Sequence, residues 1–185
     1  MLDLWLVRHG ESLGNVDGTQ ADTSLSALGQ RQARALRSAL LDVHFDEVQT
    51  SPLVRAIETA KLALPGVAPT IESRLRELVI ARECCRDQCC RVAGILLSAT
   101  DDDVEHETGR QLIARTRDWL DDLPQSGRLI AFSHSGFVRN CLGLLLREQS
   151  VPRAVLHCSI FRIAVDGSAA RLLAANVRDH LAGVE

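Results

Sequence analysis

The segment "LDLWLVRHGES", residues 2–12, begins with an apolar run that gives way to two basic residues, a glycine and a carboxylate. The run from Leu2 to Val7 is short and apolar, which predicts a buried β-strand. A second apolar run, "RLIAFS" at residues 128–133, is likewise followed by a histidine, His134, and by small residues. Ligands in open α/β sheets bind beyond the carboxyl ends of the strands. These two strand ends are therefore the first candidates for a functional site.

Strand-like and helix-like segments alternate along the rest of the chain. Apolar spacing, a proline suited to a first turn and a capping box together predict four helices. They lie at residues 25–41, from Pro52 through Arg55 to about Leu62, after the Thr108–Gln111 capping box, and from Gly136 onward. In the first of them, the residues expected to face the core are Leu28, Ala35, Leu36, Ala39 and Leu40. Further strands are predicted at residues 46–50 and in a closing hairpin, residues 158–165 and 170–175.

This order of elements predicts an α/β fold. We expect a three-layer α/β/α sandwich, with a mostly parallel central sheet and helices on both faces. No linker, internal repeat or low-complexity tract interrupts the pattern. Residues 1–185 are therefore expected to form a single domain.

Composition and charge argue against two classes of partner. The chain has 185 residues, of which 46% are apolar and 24% charged, and its net charge is −3. Its basic residues do not cluster as a nucleic-acid interface requires, so no nucleic-acid partner is expected. No run approaches the roughly 20 apolar residues that cross a bilayer, so no membrane partner is expected. The first residues lack the basic region of a signal peptide, and we expect a cytoplasmic protein.

The candidate site residues have the chemistry of a phosphoryl site. Arg8 and His9 follow the first strand, His134 follows the second, and Arg55 lies near the start of a helix. Guanidinium groups match phosphate oxygens, and a neutral imidazole can form a covalent phosphoenzyme. A leaving oxygen also needs a proton, which a carboxylic acid can supply. The candidates for that acid are Glu77, in "RLRE", and Glu11, which is better suited to orienting the basic groups nearby.

Six blocks of sequence carry a more specific resemblance. They are "LVRHGES" with Asn15, "LSALGQRQA", "TSPLVRAIETA", "RLRE", "FSHSGFVR" and "NVRDHL", and they run from residue 2 to about 181. In this order they resemble the histidine phosphatase superfamily, which includes the phosphoglycerate mutase-like phosphatases. The resemblance implies that His9 is the nucleophile and Glu77 the proton donor. It implies further that the phosphoryl group is held by Arg8, Arg55 and His134 and bound additionally by Asn15, Ser135 and Gly136.

The resemblance also implies a reaction. We expect a metal-independent phosphomonoester hydrolase, acting through phosphohistidine on a small phosphorylated metabolite or a phosphoprotein. Its partners would then be a small phosphorylated substrate or inorganic phosphate, and no cofactor or metal is expected. The alternatives are phosphoglycerate mutase-type transfer and a non-catalytic phospholigand-binding protein on the same fold. The sequence does not indicate an oligomeric state.

Each site residue also has a structural interpretation. His9 and His134 could simply be packed in the core, Arg55 could pair with Glu58 or Glu47 at the surface, and Glu77 could be a solvated residue at a helix start. His157 and His180 are read as structural or rim residues.

The chain departs from the family between Leu78 and Leu97, where a glycine- and tryptophan-containing stretch is usual. It carries instead a cysteine cluster, Cys84, Cys85, Cys89 and Cys90. These residues are interpreted first as small semi-buried thiols. Reactive thiols beside arginines and zinc ligands are the alternatives.

Overall fold

The computed structural model describes residues 1–19, 21–78, 109–146, 151–152 and 154–184. Its centre is a six-stranded sheet. The strands are β1 (Leu2–Arg8), β2 (Glu47–Thr50), β3 (Thr70–Ile71), β4 (Gly127–Ser133), β5 (Ile160–Asp166) and β6 (Ala169–Val177). They lie in the order β3-β2-β4-β1-β5-β6. The first four in that order run parallel, and β5 and β6 are antiparallel to their neighbours. The predicted mostly parallel sheet is confirmed.

Helices cover both faces of this sheet. They are α1 (Leu13–Asp17), α2 (Ala27–Leu40), α3 (Val54–Ala63), α4 (Gly109–Asp121) and α5 (Ser135–Leu145), with 3-10 turns at Ser73–Leu75 and Asp179–Leu181. Side chains alternate across a strand, and β4 shows the consequence. Leu129 and Ala131 pack in one apolar cluster with residues of α4 and α5. Ile130 and Phe132 pack in the other cluster with residues of α2 and α3. The three-layer arrangement is confirmed.

Two details of the predicted helices are wrong. Pro52 lies before the helix and not in its first turn, because Leu53 has extended backbone and α3 begins at Val54. In α2, Leu36 is buried as predicted, but Leu28 stays partly exposed and the neighbouring Gly29 is buried. The reason is that the backbone at Gly29 packs directly against the chain that follows β1.

Some predictions fall on residues outside the described ranges. They are the capping residue Thr108, the departure after Leu78 and the cysteine cluster at residues 84–90. The single-domain organisation stays a prediction. Within the described ranges, no helix has both the length and the apolar character that crossing a bilayer requires.

Candidate active site

The carboxyl ends of β1 and β4 bring two histidines together. The strands are parallel neighbours in which Arg8 is paired with Ser133. The residue after each strand end is a histidine, and the His9 amide donates to the Ser133 carbonyl at 2.9 Å. As a result, the ring centroids of His9 and His134 are 4.9 Å apart. Both rings are almost fully buried, with exposed fractions of 3% and 0%.

The hydrogen bonds of His9 define its tautomer. Arg55 Nε lies 3.2 Å from His9 Nε2, and a guanidinium can only donate. His9 Nε2 therefore carries a lone pair. The proton of the neutral ring is then on Nδ1, which lies 2.6 Å from the Gly10 carbonyl oxygen. This arrangement leaves the lone pair of Nε2 directed towards Arg55.

Arg55 is a site residue and not a surface residue. It is only 6% exposed, on the first turn of α3. Its ion-pair partner is Asp22, at 3.6 Å, whereas Glu58 accepts from the Leu25 amide. The alternative in which Arg55 pairs at the surface with Glu58 or Glu47 is wrong.

His134 is held by a buried serine. Its Nε2 lies 2.7 Å from the Ser51 hydroxyl, at the end of β2. Among the described residues, His134 Nδ1 is buried and has no hydrogen-bond partner. If the hydroxyl donates to Nε2, the ring proton is on Nδ1. His134 would then offer an N–H donor at Nδ1. Its ring centroid lies 4.9 Å from the ring centroid of His9.

Glu77 lies at the N-terminus of α5. Both of its carboxyl oxygens accept from the Gly136 amide, at 3.1 and 3.2 Å, and Oε1 also accepts from the Leu78 amide at 3.0 Å. Glu77 is also close enough to Arg8 and Arg55 to act on the pKa of both guanidinium groups. The structure thus places Glu77 near the two arginines, partly exposed at the start of α5, and its role as proton donor stays a prediction.

The three residues predicted to bind substrate are placed differently. Ser135 and Gly136 form the first turn of α5, beside His134, and the Gly136 amide is engaged by Glu77. Asn15 lies on the exposed α1, where its Oδ1 accepts from the amide and hydroxyl of Ser12. These contacts assign Asn15 to a capping box. Its contact with a substrate stays a prediction.

Burial and neighbouring cations keep the two histidines neutral. Desolvation holds the pKa of His9 well below its usual value, and His134, Arg8 and Arg55 lower it further. Desolvation also holds the pKa of His134 well below the usual value, with Arg55 and Arg8 as further causes. Burial lowers the pKa of Arg8 to about 10, so this guanidinium still carries its charge at neutral pH. The site therefore combines neutral imidazoles with charged guanidinium groups.

Two glycines allow the chain after β1 to lie against α2. A Cβ on Gly29 would lie 1.8 Å from the Glu11 carbonyl oxygen, and one on Gly10 would lie 2.6 Å from the Gly29 oxygen. Glu11 was expected to orient basic groups. Instead its carboxylate accepts from the hydroxyl of Ser26, the N-cap of α2, at 2.6 Å. The segment that carries His9 is thus fixed to a helix by backbone contact.

Sequence reasoning missed the place of His157 in this site. Its Nε2 lies 2.7 Å from an Arg8 guanidinium nitrogen, and its ring centroid is 5.8 Å from that of His9. His157 precedes β5, which is antiparallel to β1, so the start of β5 meets the end of β1. The hairpin itself was predicted, but no pattern in the sequence indicates that its first strand pairs with β1.

The described residues contain no group of three or more histidine, cysteine or acidic side chains that could hold a metal ion. Cys141 and Cys158, the cysteines among these residues, are buried free thiols. Burial raises the pKa of Cys158 to about 12, which makes it unreactive at neutral pH. The charged guanidinium groups and the neutral His9 imidazole have the chemistry to bind and to accept a phosphoryl group.

The chain matches one protein family over most of its length and resembles known phosphatases over part of it. The family model of the histidine phosphatase superfamily (branch 1) matches residues 4–178. The adenosylcobalamin/alpha-ribazole phosphatase of Salmonella typhimurium (strain LT2) is 34% identical over 67% of this chain and 57% of its own length. The Escherichia coli (strain K12) protein of the same name is 48% identical over 33% of this chain and 32% of its own. The chain thus matches between about a third and somewhat over half of the length of these two relatives.

Solved structures match over nearly the whole fold. The alpha-ribazole phosphatase of Shigella flexneri has a TM-score of 0.75 and 25% identity, covering 95% of this chain and 96% of that one. The phosphoglycerate mutase of Bacillus anthracis (strain Sterne) has a TM-score of 0.80 and 19% identity, covering 99% and 96%. The second likeness concerns the fold alone.

Proposed function

The chain belongs to the histidine phosphatase superfamily, and on that premise we propose that it hydrolyses phosphomonoesters through a phosphohistidine on His9, without a metal ion. The observation that carries this proposal is the bond from Arg55 Nε to His9 Nε2 at 3.2 Å. It supports an unprotonated nitrogen directed towards a guanidinium group. A neutral imidazole in that position is a competent nucleophile at neutral pH.

The surrounding groups suit a transferring phosphoryl group. In the proposed complex, Arg8 and Arg55 bind its oxygens, and Arg55 exchanges its bond with His9 for one with an oxygen. His134 donates from Nδ1. These donors then stabilise the negative charge that the phosphoryl oxygens carry in the transition state.

The reaction proceeds in two steps. His9 Nε2 attacks phosphorus, the phosphorus–ester oxygen bond breaks, and the leaving oxygen takes the proton of the Glu77 carboxyl group. The Glu77 carboxylate then takes a proton from water as the water oxygen attacks phosphorus. The phosphorus–nitrogen bond breaks, its electron pair returns to Nε2, and inorganic phosphate is released. Glu77 thus acts first as an acid and then as a base.

The relatives suggest which substrates to test first. The Salmonella and Shigella proteins are named for alpha-ribazole, so the first physiological candidate is alpha-ribazole phosphate. We propose a small phosphorylated metabolite of this kind as the substrate class.

The decisive experiment measures p-nitrophenyl phosphate hydrolysis in excess EDTA by the wild type and by His9→Ala. His44→Ala is the matched control, because the His44 side chain is exposed and pairs with Asp46 at 3.7 Å. We expect wild type and control to keep their activity in EDTA and His9→Ala to lose it. Activity that EDTA abolishes, or that survives in His9→Ala, would contradict the proposal.

Glu77→Gln tests the proton donor separately. The substitution keeps the shape but removes the transferable proton, so hydrolysis of alkyl phosphates should fall about 10²–10⁴-fold. Hydrolysis of p-nitrophenyl phosphate should fall much less, because its leaving group needs little help from an acid. An equal loss on both substrates would show that Glu77 does not protonate the leaving group.

The same assays separate the alternatives. A mutase would transfer the phosphoryl group within phosphoglycerate and release little inorganic phosphate. A binding protein would retain phosphate without turnover. Product analysis by ³¹P NMR distinguishes the three outcomes in one experiment.

A further inference from the structure

Arg8 is held by two uncharged acceptors. One guanidinium nitrogen donates to the Val155 carbonyl oxygen at 2.7 Å, and the other lies 2.7 Å from His157 Nε2. Two other arginines of the chain are bonded to carboxylates instead. Arg55 is paired with the Asp22 carboxylate, and Arg74 contacts three carboxylates. Among the residues that the structure describes, the hydrogen-bond partners of Arg8 are thus a carbonyl and an imidazole, and neither is a carboxylate.

The Arg8–His157 contact requires a neutral imidazole. A guanidinium has no acceptor, so His157 Nε2 must accept and its ring proton must be on Nδ1. Burial, Arg8 and Arg178 lower the pKa of His157 to about 3, so the ring stays an acceptor throughout the neutral range. The bond fixes the direction of the Arg8 side chain and adds no negative charge to it.

The loop that carries His157 is itself fixed in place. The Cys158 amide donates to the Arg8 carbonyl at 3.1 Å, and Cys158 adopts the left-handed backbone conformation, with φ 51°. Asn176 accepts from the Leu156 amide at 3.1 Å and donates to the Ala154 carbonyl at 2.7 Å. A non-glycine residue in the left-handed region is uncommon and persists where surrounding contacts determine it. The imidazole is thus presented to Arg8 by a rigid support.

We propose that His157 is a positioning residue for Arg8: it holds the guanidinium beside His9 as a neutral acceptor, so that the charge of Arg8 is available to a phosphoryl group. The inference rests on the proposed function, since it assigns Arg8 to the phosphoryl oxygens. A carboxylate at position 157 would hold Arg8 equally well but would compete with the phosphate for its charge.

Three substitutions of His157 distinguish the effect of the hydrogen bond to Arg8 from the effect of a negative charge beside it. His157→Gln keeps a neutral acceptor, His157→Glu keeps an acceptor but adds a charge, and His157→Leu removes the acceptor. His44→Leu is the control, because the His44 side chain is exposed and pairs with Asp46 at 3.7 Å. For each protein we would measure the Kd for inorganic phosphate by calorimetry, kcat and KM for p-nitrophenyl phosphate, and the melting temperature.

We expect the three variants to differ from one another in phosphate affinity and in turnover. His157→Gln should bind phosphate within about threefold of the wild type, and His157→Glu should bind at least about tenfold more weakly at a similar melting temperature. His157→Leu should lose about tenfold or more in kcat/KM, mostly in kcat, because a mobile Arg8 is misplaced in the transition state. Equal phosphate binding by the Gln and Glu variants, or an unaffected Leu variant, would overturn the inference.

Failure of the proposed function is distinguishable from failure of this inference. A wild type that binds phosphate but hydrolyses nothing would refute the proposed function, while the order of phosphate affinities would still support or overturn the role of His157. A wild type that hydrolyses phosphomonoesters while the three variants behave alike would refute the role of His157 alone. A wild type that does not bind phosphate would overturn both.

Discussion

Replacing Gly29 by alanine tests how the chain after β1 is fixed. The new Cβ would lie 1.8 Å from the Glu11 carbonyl oxygen, whereas real Cβ atoms essentially never come closer than 3.0 Å. The two backbones would have to separate by about 1.2 Å, and neither is a flexible side chain that can turn away. Separation would also strain the bond between Glu11 and the helix cap Ser26. Overpacking and the weakened cap together should cost about 3–5 kcal/mol of the free energy of unfolding.

Gly143→Ala is the matched control for this substitution. Gly143 lies inside α5, and a Cβ there meets nothing within 4 Å. Helix propensity alone then applies, and the variant should be more stable than the wild type by about 0.5–1 kcal/mol. Urea unfolding of the three proteins measures both effects. Gly29→Ala should also lose kcat, because Glu11 is two residues from His9. A Gly29→Ala protein that unfolds at the same urea concentration as Gly143→Ala would refute the reasoning.

Two further predictions concern the histidines. Ser51→Ala removes the hydroxyl 2.7 Å from His134 Nε2. The His134 ring then loses the hydrogen bond that holds it, and kcat should fall about 10- to 100-fold. Ser38→Ala is the control, at an exposed serine whose hydroxyl donates to the Ala35 carbonyl, and an unchanged kcat in Ser51→Ala would contradict this role of Ser51. Acid should destabilise the fold, because His9 and His134 have lowered pKa values in the folded state but take up protons when unfolded below their usual value of 6.5. As the pH drops below 6.5, the free energy of unfolding should fall by about 1.4 kcal/mol per pH unit for each of the two histidines. Urea unfolding at about pH 7.5 and about pH 5.5 measures this loss. Equal unfolding midpoints at the two pH values would contradict the prediction.

The predictions made from the sequence were most accurate where a single physical rule determines the local structure. The apolar runs before His9 and His134 predicted two strands, and carboxyl ends of neighbouring parallel strands meet at one edge of a sheet. Two features escaped prediction because they depend on contacts between distant segments. The burial of Gly29 follows from its contact with Glu11. The place of His157 follows from the pairing of β5 with β1, and strand order is not encoded in the spacing of apolar residues.

The "NVRDHL" block, residues 176–181, illustrates why a resemblance can extend far from the chemistry. Asn176 adopts a left-handed conformation, with φ 50°, and its side chain bonds both sides of the loop that carries His157. His180 Nε2 lies 3.0 Å from the Cys158 carbonyl oxygen of the same loop. The block thus contacts the loop that carries His157, and His157 in turn bonds Arg8.

In the proposed mechanism, the positive charge near His9 contributes both to phosphate binding and to catalysis. Burial and the guanidinium groups of Arg8 and Arg55 disfavour a proton on His9, which leaves Nε2 nucleophilic. The same positive field favours a phosphoryl dianion at that place. A carboxylate paired closely with Arg8 would weaken both effects, since it would stabilise a protonated His9 and repel the dianion. The neutral acceptors around Arg8 are therefore consistent with both requirements, and His157→Glu should impair both: it should raise the pKa of His9 as it weakens phosphate binding, a shift that histidine ¹H–¹⁵N NMR titration of the variant would detect.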